Sequence, residues 1–368
     1  MVLRILYLIN HAGKAGTEKY VYNLAKTYHG KRASCFFAYN EEGPLLQDMQ
    51  SLGIPSCQVK MRSPWDLSAA KKLAKLCDRY QIDMIHTQYP RENFVAVLSR
   101  LFRPKTKVIY TCHLTLKTNF LWRMANSIIT RFDAQILSVC NNGKDLLIQN
   151  GVKPEKIKVV FNGLSVQETQ SEPSTIREEL GLSADTFVAV TLARYHIAKG
   201  LPYLVDSIAE VPKDIPFVCL IAGDGELFDE IRDRIKEKGL EDRILQLGYR
   251  NDAANLLAGA DVFINSAKCY EALSFAILEA LGAGLPVIAT NIGGNSDIIN
   301  PENNCGILVE YGDTKGMANA IERLATHADL CATYGENGKK AIETVFNLDK
   351  ILEIIYTIYV DVLNKMGK

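Results

Sequence analysis

Short apolar runs alternate with amphipathic stretches along the first 160 residues, stop, and then begin again. Ile5 to Ile9 reads as a strand, and Lys19 to Tyr28 as a helix with Val21, Leu24, Ala25 and Tyr28 on one face. Met84-Ile85-His86, Val108-Ile109-Tyr110 and Ala134 to Ser138 read as further buried strands, separated by helical stretches such as Leu67 to Tyr80. After Val159-Val160-Phe161-Asn162-Gly163 comes a polar segment, 165–175, that reads as a linker. The alternation restarts with Phe187 to Leu192, Val218 to Ala222, Ile244 to Leu247, Val262 to Ile264 and Val287 to Ala289. Repeated β-α units demand parallel sheets covered by helices on both faces. Two interrupted sets demand two doubly wound sheets, expected over 1–164 and 165–347. The apolar stripe from Lys350 to Lys365 predicts a last helix, over 348–368, that packs either on the second domain or back on the first.

A length of 368 residues suits two α/β domains. No apolar run approaches the roughly 18 residues of a membrane span, and Leu6 to Ile9 is too short for a signal segment. The nine cysteines are scattered without a Cys-x-x-Cys pair, which argues against a disulfide framework or a zinc site and favours a reducing cytosol. The formal net charge is zero, yet residues 1–165 carry 24 Lys and Arg against 11 Asp and Glu. Such a basic half faces either an anionic partner or nothing but solvent.

In open parallel sheets, ligands bind beyond the carboxyl ends of the strands. Strand-end residues are therefore the candidates. Glu271 and Glu279 flank a predicted helix start at Ser274, Phe275 and Ala276, a ready anion site. An acid on each side of a phosphate cradle suits a sugar nucleotide. Arg194 and Lys199 flank the loop after Thr191-Leu192 and place two cations at a helix start, where an anion is expected. Gly223 and Gly225 allow a tight turn after another strand, and Gly293-Gly294 a close approach. In the first half, Gly13 to Glu18 offers backbone amides, and His113 ends a strand. His86 and Gln88 end another strand and rank lower. Cys112 and Cys140 read as small apolar fillers.

Taken together, these residues resemble the family-4 retaining glycosyltransferases of GT-B fold. The resemblance runs over nearly the whole chain. It rests on Ala15-Gly16-Thr17-Glu18, His113, Asn162-Gly163, Arg194 with Lys199, Gly223-Asp224-Gly225, and Glu271 and Glu279 with the glycine and proline that follow. It implies two Rossmann-like domains facing a central cleft. It implies transfer of a hexosyl or N-acetylhexosaminyl group from a nucleotide sugar, with uridine the expected base, to a saccharide or lipid-linked acceptor in cell-surface polysaccharide or glycolipid synthesis. In that frame Arg194 and Lys199 neutralise the donor diphosphate. Glu279 binds the ribose, and Glu271 bonds the sugar hydroxyls. The amides near Ser274 and Phe275 hold the distal phosphate. Gly16 lets the first domain's loop approach the donor, Gly223 belongs to the donor site, and His113 contacts the donor sugar. No metal or other cofactor is expected, and no nucleic acid. Ala15, Ala193, Ser165, Asp297 and Gln88 depart from the family's pattern without removing a charged donor-binding group.

Residues 116–132, from Leu116 to Phe132, mix aromatic, aliphatic and cationic side chains just after His113. They read either as a core helix with snorkelling cations or as a surface that rests on a bilayer. The expected protein is cytosolic, with peripheral contact to the inner face of the cell membrane. Two other readings stay open: a sugar-nucleotide epimerase of similar fold, and a non-catalytic partner subunit of a transferase.

Overall fold

The computed structural model describes residues 2–113, 117–169, 173–269 and 271–364. Leu116, part of the predicted linker at Ser171, and Lys365 thus lie outside the described residues. The chain divides into two compact units, Met1–Asn162 with Lys350–Lys368, and Gly163–Asp349.

In the first unit the chain runs β1 Leu3–His11, α1 Gly16–Tyr28, β2 Ala33–Glu41, α2 Pro44–Ser51, β3 Ser56–Gln58, and α3 Leu67–Arg79. It continues through β4 Met84–Thr87, α4 Pro90–Ser99, β5 Lys107–Cys112, α5 Phe120–Ile129, β6 Gln135–Ser138, α6 Asn141–Gln149 and β7 Ile157–Val159. Among the described residues these strands form one sheet in the order β3-β2-β1-β4-β5-β6-β7. The pairs are parallel, with Leu6 opposite Phe36 on one side and Ile85 on the other. Long β2 was not anticipated, and neither were the edges β3 and β7. The edges are three residues each, too short for alternation to register. β2 carries few β-branched residues, so its apolar stretch from Cys35 to Tyr39 is weak evidence for a strand.

Helix α1 begins three residues earlier than its apolar stripe implies. Ala15 at its N-cap has no oxygen to offer, and the Glu18 carboxylate instead accepts from the Ala15 N–H at 3.1 Å. Tyr20, Val21, Leu24, Ala25 and Tyr28 then face the core, as the 3.6-residue period requires.

The second unit contains α7 Ile176–Glu179, β8 Phe187–Leu192, α8 Leu201–Ala209, β9 Phe217–Ala222, α9 Phe228–Glu237, β10 Ile244–Gly248 and α10 Ala253–Ala258. It continues with β11 Val262–Asn265, α11 Phe275–Ala283, β12 Val287–Thr290, α12 Asn295–Ile298, β13 Gly306–Val309, α13 Thr314–Thr326 and α14 Ala328–Thr344. Its sheet is also parallel, in the order β10-β9-β8-β11-β12-β13. The segment after Gly163 is more than a linker. It includes a 3-10 turn at Val166–Thr169, and Ser174 donates to the Asn255 carbonyl at 2.8 Å.

The last helix, α15 Leu348–Asn364, resolves the open choice about the C-terminal stripe: it returns to the first unit. Ile351, Leu352, Ile355, Ile358 and Val362 are buried, each aliphatic side chain contributing roughly 1.5–3 kcal/mol. Tyr28 donates to the Leu352 carbonyl at 2.5 Å, and the Tyr359 hydroxyl meets His86 Nδ1 at 2.6 Å. The Tyr359→Phe variant keeps the ring and removes that partner from a buried imidazole. It is expected to cost about 1–3 kcal/mol, read as a lowered denaturant midpoint with an unchanged circular dichroism spectrum.

Candidate functional site

In the second sheet the order reverses between β8 and β11, which are direct neighbours, with Val262 opposite Ala189. Successive crossovers leave on opposite faces there, so the two following loops diverge and open a crevice at the strand ends. Arg194 and Lys199 lie on the loop after β8, and Glu271 and Ser274 on the loop after β11. Lys199 and Glu271 are 72 positions apart in the sequence, and the sheet order brings their loops together. Lys199 Nζ lies 2.7 Å from Glu271 Oε2. The Glu271 side chain is only 8% exposed and the lysine 28%, so the pair is partly withdrawn from water and less screened by salt than a surface ion pair.

Backbone contacts hold the neighbouring loops in register. A Cβ on Gly293, after β12, would sit 1.6 Å from the Glu271 carbonyl oxygen, which accepts from the Gly294 N–H at 3.3 Å. Gly200, at φ +64°, lies against the Ser266 carbonyl, and Ser266 donates to the Lys199 carbonyl at 2.9 Å. Gly223, at φ +149°, leaves the Ala193 carbonyl the space a Cβ would fill. Four strand-end loops therefore pack backbone to backbone at one edge of the second sheet.

Helix α11 starts at this edge. Ser274 is its N-cap and makes no side-chain cap bond; its hydroxyl instead lies 3.5 Å from Asn265 Nδ2. Phe275 opens the helix, and Glu279 is half-buried on its next turn between the buried Leu278 and Ala280. The Arg194 side chain is exposed and forms no ion pair with any described residue. The edge thus combines two cations, a helix N-terminus and two acids, the chemistry that holds a diphosphate between hydroxyl-bearing groups.

The first sheet reverses between β1 and β4. Gly16 begins the helix after β1, and Thr17 beside it meets the Tyr89 hydroxyl at 2.8 Å, linking the loops after β1 and β4. His113, at the end of β5, is 8% exposed, with Nε2 3.0 Å from Gln88 Oε1 and the Tyr20 ring 4.7 Å away. The amide oxygen of Gln88 places the proton on Nε2 and leaves Nδ1 as the acceptor. Burial pushes its pKa down to about 3, so the imidazole is neutral at pH 7. His86 is fully buried behind it, between Tyr359 and Thr111 Oγ1, and its pKa is likewise pushed down to about 3 by burial and then by His113. His86 therefore supports the sheet, whereas Gln88 partners the candidate directly.

Two buried acids went unread in the sequence because acids in helix first turns and before strands are ordinary. Glu92, on α4, lies toward the backbone N–H groups of Asn10 and of itself without a hydrogen bond of normal geometry, and burial pushes its pKa up to about 8. Asp133 accepts from Asn93 at 3.0 Å and is also raised to about 8, chiefly by burial. Among the described residues, no group of three His, Cys, Asp or Glu side chains is placed to hold a metal ion, and none of the nine cysteines forms a disulfide.

The buried acids and histidines titrate with opposite consequences. Glu92 and Asp133 favour the fold below the ordinary carboxylate range and lose that contribution as pH rises to about 8. His86 and His113 favour it above about 6.5 and lose it toward about 3. Between pH 6.5 and 8 mainly the carboxyls titrate, so the first unit is expected to melt at a lower temperature at pH 8 than at pH 6.5, with Glu92→Gln reducing the difference. In the second unit, Gly293→Ala is expected to lower the melting temperature more than Arg194→Ala, because it displaces the Glu271 backbone while Arg194 is exposed.

The described helices include none long and apolar enough to cross a membrane. The profile of "Glycosyltransferase Family 4" matches residues 15–168, and that of "Glycosyl transferases group 1" matches 173–341. The chain is 28% identical over 314 residues to N-acetyl-alpha-D-glucosaminyl L-malate synthase of Bacillus anthracis, covering 83% of this chain and 82% of that one. It is 27% identical over 345 residues to the UDP-Gal:alpha-D-GlcNAc-diphosphoundecaprenol alpha-1,3-galactosyltransferase of Escherichia coli, covering 88% of each. The structure of Anabaena HepE in complex with UDP and glucose superposes with a TM-score of 0.85 at 23% identity, over 98% of this chain and all of that one. With parallel α/β units, a charged crevice at a strand-order reversal, and both family profiles matched in sequence, the chain belongs to the group 1, family-4 glycosyltransferases of GT-B fold.

Proposed function

We propose that this glycosyltransferase moves a hexosyl or N-acetylhexosaminyl group from a UDP-sugar to a saccharide carried on a lipid or growing polysaccharide, with retention at the anomeric carbon. The observation that carries this reading is the crevice in the second unit, where Arg194, the Lys199–Glu271 pair and the start of α11 converge. Arg194 and Lys199 balance the diphosphate and the charge that grows as it departs. Glu271 holds sugar hydroxyls, with Lys199 turning from its carboxylate to the phosphate on binding, and Glu279 accepts from the ribose. Gly223 keeps the neighbouring turn close to the diphosphate. The cations supply the electrostatic role without a metal.

In the transfer step the bond between the anomeric carbon and the phosphate oxygen breaks. The acceptor oxygen bonds to that carbon on the same face, and its proton passes to the departing phosphate. No side-chain base is required. His113, neutral and with Nδ1 as acceptor, orients sugar hydroxyls instead of exchanging protons. Gly16 gives the loop after β1 room to approach the donor. Support for a uridine donor and a lipid-borne acceptor comes from the E. coli relative, whose name specifies both. The basic first unit and helix α5 support attachment to the inner face of a membrane.

Thermal stabilisation by UDP, GDP and ADP tests the donor site. At about 100 times its dissociation constant a ligand adds roughly 2.7 kcal/mol. UDP alone is expected to raise the melting temperature, with the shift lost in Arg194→Ala; no shift with UDP refutes the donor assignment. Glu271→Gln is expected to lower kcat at least 100-fold while UDP still stabilises, and chelation with EDTA is expected to leave transfer unchanged.

A further inference from the structure

Helix α5 is packed the wrong way round for a core helix. Its buried side chain is Ile129, while Phe120 (70% exposed), Leu121 (74%), Met124 and Ile128 form an apolar face turned to water. A contiguous exposed face of this kind marks an interaction surface. The polypeptide from 100 to 132 carries seven cations and no acid. Arg103 turns inward to Asp78, whereas Lys117, Arg123 and Arg131, on or beside α5 in the chain, stay exposed. Cations around an exposed apolar face complement anionic headgroups at the surface of a bilayer.

Beneath α5 lies an apolar cavity of about 320 Å³, walled by Phe94, Tyr110, Cys112, Trp122, Leu147 and Val152. That volume is near the lower end of about 300–1,000 Å³ for ligand pockets, enough for a segment of an aliphatic chain. Trp122 is 38% exposed and also lines the cavity, so this one side chain borders both the cavity and solvent. The mouth is braced: Thr118 Oγ1 and N–H both donate to Asn150 Oδ1, and Gly151, at φ +92°, packs against the Arg123 carbonyl. Tyr89 also lines the cavity, and its ring is 6.4 Å from that of His113 while its hydroxyl meets Thr17.

We propose that this cavity holds a segment of the acceptor's aliphatic chain, entering from the bilayer beside Trp122, so that the headgroup emerges past Tyr89 at the His113 edge. The inference rests on the reading of the acceptor as lipid-borne and adds where the chain is gripped. The cavity would then set a preference for chain over headgroup. It would also explain why α5 presents its apolar side chains outward.

The test uses n-alkyl glucosides of six to ten carbons, each below its critical micelle concentration. The chain has two tryptophans, so Trp65→Phe leaves Trp122 as the fluorescent reporter. Affinity is expected to rise about fourfold per methylene and to level off once the cavity is full. Val152→Phe and Leu147→Phe, each filling the cavity from the wall at the end of α6, should each weaken binding at least tenfold, with folding checked by circular dichroism. Leu121→Ser with Met124→Ser, outside the cavity, should spare glucoside binding and reduce sedimentation with phosphatidylglycerol vesicles. Absence of saturable binding in the parent, or binding untouched by both well-folded filling variants, overturns the proposal. Transfer to lipid-linked acceptors at a rate independent of chain length and of Val152→Phe overturns the cavity and leaves the acceptor reading standing. Saturable glucoside binding with no transfer to any lipid-linked saccharide overturns the acceptor reading, and the cavity's assignment to it.

Discussion

The Lys199–Glu271 pair ties together two loops that the sheet order alone would leave to diverge. Its carboxylate is nearly buried, so the fold must supply a partner cation or leave an uncompensated charge out of water. That requirement positions the loop after β8 against the loop after β11, and the glycines at 200, 223 and 293 let backbones close the remaining gaps. The start of α11 is aimed by the same contacts, because Glu271, Ser274 and Phe275 share one short segment. A pair of opposite charges also makes a rearrangeable site. In the donor site proposed above, an incoming diphosphate would compete with Glu271 for Lys199, and sugar hydroxyls with Lys199 for Glu271.

The first unit works by other means. Its candidate site is built from neutral, buried, hydrogen-bonded groups: His113 on Gln88, His86 between Tyr359 and Thr111, and Thr17 on Tyr89. Burial keeps both imidazoles uncharged, which suits positioning better than proton transfer near pH 7. The returning α15 supplies Tyr359 to this network, so the last helix contributes to the order of a site formed mostly before residue 115. Part of the basic excess of the first half, Lys117, Arg123 and Arg131, lies on or beside α5 in the chain.

Strands such as β1, β4, β5, β8, β9, β11 and β12 were legible because buried parallel strands read as uninterrupted apolar runs. Short edges such as β3 and β7 were not, since three residues carry no period. Candidate residues at strand ends were legible through residue type and placement, as with Arg194, Lys199 and Glu271. Glu92 and Asp133 were not, because nothing in their neighbours' identities distinguishes a buried carboxyl from an ordinary helix-start or loop acid.

By itself the amino-acid order determined the two doubly wound sheets, the family, and the residues that carry charge at the strand ends. These follow from local periodicity and from motifs within a few turns of chain. Only the tertiary structure decided that Lys199 meets Glu271, that α15 returns to the first unit, and that α5 turns its apolar face outward above a cavity. Each depends on which strands become neighbours and which helix faces find partners. Those outcomes are settled by packing between segments tens to hundreds of residues apart, where no local pattern reaches.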